Sequence, residues 1–580
     1  MSCRHLVNVV LLLAFASCCG AQNDPASSSS APATQTKAQT TSQEKPRTVY
    51  ESSTVLKAIT RLVVVDVVAT DKNERAVTDL KPGDFTILED GVPQQIRGFS
   101  FQRGGTLSVA ETKPAPRRAL PPNIVTNIPE YASDGSLNVL LLDSLNTLTL
   151  DQITARDHAL RALEQFPPGR AVAVYSFKTK LQVLHDFTND HAELKKAIEN
   201  YKAENSILLE NPTNGPKIEY VDPALEAMAS EAEKNWAEKR MYSTLDAMSS
   251  LARALAGYPG RKNLIWISGG FPQMGNIVNK NYTAAITRTA DLLSNAQIAV
   301  YPIDARGAGT SAVFTAQNGK GGGTGPGIMA ALSKEAGVRF EAHGAMRQLA
   351  DLTGGKTFFD KNDLDHGILR SMDDGSTYYT LGYYPLNKKW NGKFRTITVT
   401  ANRPGITLRY RTGYLATDSA TNQKHAEAQR AEDFGQALSL DFPVSTSLLF
   451  QAGILKTSAG KHGKVAVNFL VDAHQIGFEK QSDGLQHATL DYAVEVYSEK
   501  GKQIKTDVTS VEIALPQEPF KQVLRNGLPY QKTFDLPPGN YILRLGIRDN
   551  RTGLIGSGTG TLSLSPMSFT LGLRRSIADR

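Results

Sequence analysis

Between residues 136 and 384 the hydrophobic pattern alternates between two periods. Val139–Leu142, Ala171–Phe177, Leu264–Ile267 and Ile298–Ile303 are short, nearly unbroken apolar runs rich in Val, Ile, Leu and aromatics. Such runs predict strands covered on both faces. The stretches between them repeat at helical spacing. Over 151–166, Ile153, Leu160 and Leu163 share a face, and over 241–256 so do Leu245, Met248, Leu251 and Leu255. Over 343–353, Met346, Leu349 and Ala350 repeat the pattern, and Gly354-Gly355 supplies a C-terminal stop. Strand–helix alternation predicts a doubly wound, mostly parallel sheet with helices on both faces.

The flanks read as all-β, so the fold class is α/β plus all-β. In 55–101, Leu62–Ala69 is a β-branched run, and Phe85, Ile87 and Glu89 alternate with Thr86 and Leu88. Pro82-Gly83 marks a turn, and Asp90-Gly91 is a hairpin signal because glycine accepts the positive φ such turns need. Arg395–Thr400 and Ile406–Tyr410, joined by Arg403-Pro404-Gly405, add two more runs that cannot be stable alone. Two arrangements follow: they pair with 55–101, so that the α/β unit is inserted in one small β-sandwich, or they pack as a hairpin on the α/β unit. Beyond them, Val465–Val471, Thr489–Tyr497, Lys532–Asp535 and Tyr541–Ile547 recur between turn signals and predict a C-terminal β-sandwich.

The resulting division is a signal segment over 1–21, a tether over 22–50, a small β domain over 51–105 and a Pro-rich linker over 106–135. An α/β unit over 136–384, a β hairpin over 385–415, a linker over 416–432 and a β-sandwich over 433–580 complete it. Several domains are expected from 580 residues. Residues 22–50, rich in Ser, Ala, Thr and Gln, hold too few large apolar groups to fold.

Arg4 and the short apolar core Val9–Ala16 form the secretory signal, which is shorter than the roughly 20 residues a membrane span needs. Phe15-Ala16-Ser17-Cys18 resembles a lipobox, which would make Cys18 a lipidated N-terminus. Cys19-Gly20-Ala21 offers an ordinary cleavage site instead. All three cysteines lie in this segment, which excludes disulfides, a cysteine nucleophile and a cysteine–zinc site from the domains. The net charge of +7 is spread without a basic block, which argues against nucleic-acid binding and leaves only weak attraction to anionic envelope polymers.

The run Leu137–Thr147 ends in Asp143-Ser144-Leu145-Asn146-Thr147. It resembles the first strand of von Willebrand factor A (VWA) domains, whose family carries a metal-binding D-x-S-x-S at this place. Val77–Gly91 resembles the leader before VWA-related domains of acidobacterial secreted proteins. Gly260–Gly270 and the sequence from Gly355 through Asp363-Leu364 to Tyr378–Tyr383 and Pro385 resemble the body and close of such domains. The resemblance spans residues 55–415.

The family's site holds magnesium through a carboxylate, two hydroxyls, a threonine from a later loop and a further aspartate. Here the resemblance implies metal ligands at Asp143, Thr147 and Thr244, with Ser243 as the alternative to Thr244. Leu145 brings no ligand atom, and Gly269 stands where S-D-G would carry its acid. Such a site is degenerate, and the reading is that no cofactor is needed, with magnesium as the alternative.

Other chemistry is sparse. Gly319-Lys320-Gly321 within the Gly-rich stretch 307–337 lacks the Ser or Thr a P-loop carries after its lysine, and the stretch reads as a surface loop. No G-x-S-x-G or H-E-x-x-H occurs, and His158, His185, His191, His343 and His366 stand singly. The chain is therefore read as a non-enzyme, secreted to the periplasm, outer membrane or cell surface. Membrane contact would come only through a lipid anchor. It would bind a protein partner through Asp143, Ser144, Asn146, Thr147, Ser243, Ser268, Gly269 and Asp304. The alternatives are magnesium-dependent adhesion and binding of envelope polysaccharide by the C-terminal sandwich.

Overall fold

A computed structural model describes residues 62–103, 123–129, 136–167, 169–206, 223–271, 280–307, 326–359, 363–417, 423–457 and 463–564. The chain enters as β1 (Val63–Thr70), buried along nearly its whole length. β2 (Phe85–Glu89) and β3 (Val92–Gln94) form a hairpin on Asp90 and Gly91, whose φ angles of 49° and 80° are those of a primed two-residue turn. β4 (Ile96–Gln102) follows. Residues 106–135 are predicted as a linker, yet Ile124–Thr126 forms a strand, β5, with Val125 buried. Three residues carry too little pattern to show a strand before its partner is known.

The α/β unit then runs β6 (Leu137–Asp143), α1 (Thr149–Glu164), β7 (Val172–Phe177), β8 (Leu181–Thr188), α2 (His191–Asn200), α3 (Pro223–Leu255), β9 (Lys262–Ser268), α4 (Lys280–Asn295), β10 (Ile298–Asp304), α5 (Pro326–Thr353) and α6 (Leu364–Asp374). Its five-stranded sheet has the order β10-β9-β6-β7-β8, parallel except for β8. Chain order therefore reverses between β6 and β9, and the loops leaving their carboxyl ends part to opposite faces. Ligands of open α/β sheets bind in the crevice at such a switch point. Asp143 closes β6 and Ser268 closes β9.

Alternate residues of these strands serve opposite cores. Val139, Leu141, Leu264 and Trp266 pack with Leu245, Met248, Leu293 and Leu349, whereas Leu140, Leu142, Ile265 and Ile267 pack with Ala155, Ala159, Leu163 and Ile368. Two expectations need correction. The buried face of α1 is Gln152, Ala155, Ala159, Ala162 and Leu163, while Ile153 is 38% exposed. Small alanines let that helix lie close to the sheet, which turns the isoleucine outward. In addition, α5 begins at Pro326, inside the stretch 307–337 predicted as loop. A proline in the first helical position followed by Ala, Leu, Lys and Glu favours a helix there.

The chain continues as β11 (Tyr378–Tyr383), β12 (Phe394–Ala401), β13 (Thr407–Arg409) and β14 (Gly413–Leu415). Two four-stranded sheets result, β13-β1-β11-β4 and β14-β12-β2-β3. Residues 378–383 are predicted inside the α/β unit, but β11 lies antiparallel between β1 and β4. Its Tyr379, Leu381 and Tyr383 enter a core with Val65, Val67, Ile87 and Val399, which the α/β sheet could not offer them.

Helix α7 (Gln423–Ala437) occupies much of the predicted linker 416–432. Phe434 and Ala437 explain it, because both are buried in the core beneath α3. Then come β15 (Phe450–Thr457), β16 (Gly463–Val471), β17 (Glu479–Lys480), β18 (Gln486–Ser498), β19 (Gln503–Leu515), α8 (Gln517–Asn526), β20 (Leu528–Leu536), β21 (Gly539–Asp549) and β22 (Ile555–Leu564). One sheet has the order β20-β16-β15-β5, and the other is β17-β18-β21-β22 with β19 on β18. The guanidinium of Arg544 donates to the carbonyls of Ala437, Phe442 and Pro443, fastening the segment after α7 to β21. Among the described residues no helix is long and apolar enough to cross a membrane.

Candidate functional site

Asp143 is 2% exposed, and its carboxylate meets four donors. The main-chain N–H of Asn146 donates to Oδ1 at 3.0 Å. Asn146 Nδ2 at 2.8 Å, Ser268 Oγ at 2.8 Å and Trp266 Nε1 at 3.1 Å donate to Oδ2. Burial pushes the carboxyl upward against these donors. Arg240 on α3 feels the charge of Asp143, while its own burial pushes its guanidinium downward.

The same loop ties α3 and β9 together. Asn146 Nδ2 also donates to Thr244 Oγ1 at 2.8 Å, and Thr244 donates to the Arg240 carbonyl one turn earlier. The helix register thus brings Thr244, rather than the half-buried Ser243, to the strand edge. The Gly269 N–H donates to Thr147 Oγ1 at 2.8 Å. Leu145 faces away into the core beneath α3.

Ser144 turns to the opposite face of the sheet, where its hydroxyl meets Tyr201. Tyr201 donates to Gln152 Oε1 at 3.0 Å, so Ser144 is the donor in its own contact. Burial pushes the Tyr201 hydroxyl up to about 12. Gln152 Nε2 in turn donates to the carbonyls of Thr147 and Glu204 at 2.8 and 2.9 Å. One buried amide therefore ties the β6–α1 loop to the segment that follows α2.

Asp304, at the end of β10, stands apart from Asp143. Arg306 grips it with Nε at 2.9 Å and Nη2 at 2.8 Å, and His343 Nε2 lies 2.7 Å from Oδ2. Burial would raise this carboxyl, but His343 and Arg306 outweigh it and hold the group below its ordinary range. The His343 ring stacks on Phe359 at 3.9 Å. Among the predicted residues, then, Asp143, Asn146, Thr147, Thr244, Ser268 and Gly269 meet directly, and Ser144 and Asp304 serve neighbouring networks. Trp266, within the Gly260–Gly270 stretch, completes those networks together with Gln152, Tyr201 and Arg306, which no motif announces. The one signal is a tryptophan in the otherwise aliphatic run Leu264–Ile267.

A magnesium shell needs free oxygen lone pairs in near-octahedral array. Here Asp143 Oδ2 and Thr244 Oγ1 both face the Asn146 amide, and Thr147 Oγ1 already accepts from Gly269. A Cβ on Gly269 would lie 2.7 Å from the Asn146 carbonyl oxygen, so the loop occupies the space an acid there would need. Donor N–H groups converge where a cation would sit, and the residues as placed do not fit the ion. Among the described residues no group of three or more His, Cys, Asp or Glu is placed to hold a metal. Cys18 and residues 308–325 of the Gly-rich stretch lie outside the described residues.

Three exposed apolar side chains stand at the start of α1, after the loop that holds Asp143. Leu148, the N-cap of α1, is 48% exposed, Leu150 is 78% exposed and Ile153 is 38% exposed. Asp151 between them is raised by burial and senses the charges of Arg306, Asp304 and Arg339, which brings α5 to the same margin. Phe340, next to Arg339, is 75% exposed.

No protein-family model and no curated protein matches the chain. Among solved structures, it is similar to the BatB protein of Bacteroides thetaiotaomicron (12% identity, 41% of this chain and 97% of that one, TM-score 0.24). It is also similar to a von Willebrand factor type A protein of Catenulispora acidiphila (11% identity, 60% and 82%, TM-score 0.18). A third is the three N-terminal domains of the type V pili tip protein Mfa5 of Porphyromonas gingivalis (8% identity, 82% and 77%, TM-score 0.23).

Proposed function

We propose that the protein is a secreted or envelope-tethered module of adhesion or scaffold type that binds another protein. The contact surface in this reading is the carboxyl edge of the five-stranded sheet, with the apolar start of α1 as its centre and Asp143 as part of the rigid floor.

The observation that carries the reading is the leucine at the α1 N-cap. That position favours Ser, Thr, Asp or Asn, whose side chain bonds a free helix N–H and stabilises by about 1 kcal/mol. Leu148 has no such bond and is half exposed, with Leu150 beside it almost bare. Neither side chain belongs to a core cluster among the described residues, whereas both suit a partner's apolar surface. The hydrogen bonds of Asn146, Gln152 and Thr147 behind them supply the rigidity that a binding loop draws from its scaffold.

The test is site-specific photo-cross-linking in native cells. A photoreactive residue at position 150 of the full chain is expected to capture a defined protein, and the same residue at Glu512 on β19 is not. Leu150→Asp should abolish capture by a probe placed at position 148 while leaving the thermal transition unchanged. Equal adducts at 150 and 512, or none at 150, would count against this surface.

A further inference from the structure

We infer that the side-chain amide of Asn146 takes the place of a cation at the sheet edge, so that the edge is permanently assembled without a divalent ion. The amide nitrogen lies 2.8 Å from Asp143 Oδ2 on β6 and 2.8 Å from Thr244 Oγ1 on α3. Its two N–H bonds bring positive ends to two oxygens from separate elements, as an ion between them would.

The orientation of the amide is fixed by its neighbours. Asp143 Oδ2 only accepts, and Thr244 Oγ1 has already given its proton to the Arg240 carbonyl. Turning the amide over would set its oxygen against both. As placed, Asn146 Oδ1 is buried without a partner among the described residues, so the arrangement favours the two donated bonds over satisfaction of that oxygen. The main-chain N–H of the same residue closes on Asp143 Oδ1, so one residue neutralises both carboxylate oxygens.

The surroundings complete the replacement. Leu145 contributes to the core instead of a hydroxyl, and Gly269 leaves room for the Asn146 carbonyl instead of a second acid. The loss of ligand atoms and the gain of the amide are thus parts of one packed arrangement. The amide holds the edge in this way whatever the edge binds.

The test compares the full chain with its Asn146→Asp and Asn146→Ala variants, each in EDTA and in millimolar MgCl2, by thermal denaturation. Mn2+ titration followed by electron paramagnetic resonance reports binding directly. The wild type is expected to melt at one temperature in both buffers and to bind no Mn2+. Asn146→Asp sets a second carboxylate against Asp143 Oδ2 and Thr244 Oγ1. It should melt lower in EDTA by at least about 2 °C and recover in MgCl2, with Mn2+ binding that Asp143→Ala removes. Asn146→Ala should melt lower and ignore both buffers. Mn2+ binding by the wild type that Asp143→Ala abolishes would overturn the inference. So would an Asn146→Ala protein as stable as wild type, or an Asn146→Asp protein that gains nothing from magnesium.

Discussion

Gly257, just past the end of α3, lies so close to Thr446 that a Cβ built on it would stand 1.8 Å from the Thr446 carbonyl oxygen. Thr446 donates to the Ala254 carbonyl through both its main-chain N–H at 3.0 Å and its hydroxyl at 2.7 Å, and it accepts from the Gly257 N–H at 3.1 Å. A residue from the segment leading into β15 therefore closes the C-terminus of a helix in the α/β unit, where carbonyls would otherwise lack partners. Gly257→Ala is expected to force the two apart and to destabilise the chain by about 1–3 kcal/mol. Urea unfolding reads the change, and a midpoint equal to wild type would show that the contact is not close in solution.

Asp304 gives a dependence on pH. Its folded value is depressed below the ordinary 3.8 by His343 and Arg306, so the unfolded chain binds its proton more readily. The stabilisation is fully present above pH 3.8 and is lost as the pH falls through the lower folded value. Asp304→Asn should therefore be less stable than wild type at pH 6, with the gap narrowing below pH 3.8. Melting temperatures measured across that range give the comparison. A gap that widens on acidification would contradict the assignment.

Glu89 and Arg395 form a buried ion pair at 3.0 Å, with Tyr383 and Tyr414 also donating to the carboxylate. Removing one partner strands the other. Arg395→Met is expected to lose about 3–5 kcal/mol, and adding Glu89→Gln should return part of the loss. A double-mutant cycle in urea measures the coupling. Strict additivity of the two substitutions would mean that the pair does not act as a unit.

Gly269→Asp restores the acid that the VWA resemblance leads one to look for, yet the Asn146 carbonyl fills its place at 2.7 Å. The variant is expected to melt below wild type and to show no response to magnesium. Isothermal titration with MgCl2 alongside the melting curve reports both. Tight magnesium binding by this variant would mean that the loop yields easily.

The mixed α/β character is legible because apolar runs such as Val139–Leu142 and Ile298–Ile303 alternate with stretches of helical period. The face of α1 is not legible in the sequence because alanine carries little hydrophobic signal, although Ala155, Ala159 and Ala162 are what let the helix approach. The partners of Tyr378–Tyr383 could not be read locally. Its apolar pattern fits either sheet, and only the register of Leu381 opposite Val65 decides.

At the edge, the family resemblance points Asp143, Thr147 and Ser268 to one place, and β6 and β9 are neighbours at the switch point. What spacing cannot display is direction. Asn146 reads equally well as a ligand or a donor until Thr244 stands opposite its nitrogen. Gln152 and Tyr201 gave no signal, because a buried polar residue on a helix looks like a surface one in sequence.

β5 has a consequence for how this chain comes into being. Thr126 donates to the Phe450 carbonyl across 324 residues, and Gln451, Ala452 and Gly453 of β15 pair with Thr126, Val125 and Ile124. During synthesis β5 leaves the ribosome long before β15 exists and must wait, uncommitted, while the whole α/β unit forms. A fragment cut to begin at 433 would carry β15 with that margin bare. Any assay of polysaccharide capture by such a fragment would report on a sheet missing its first-made strand.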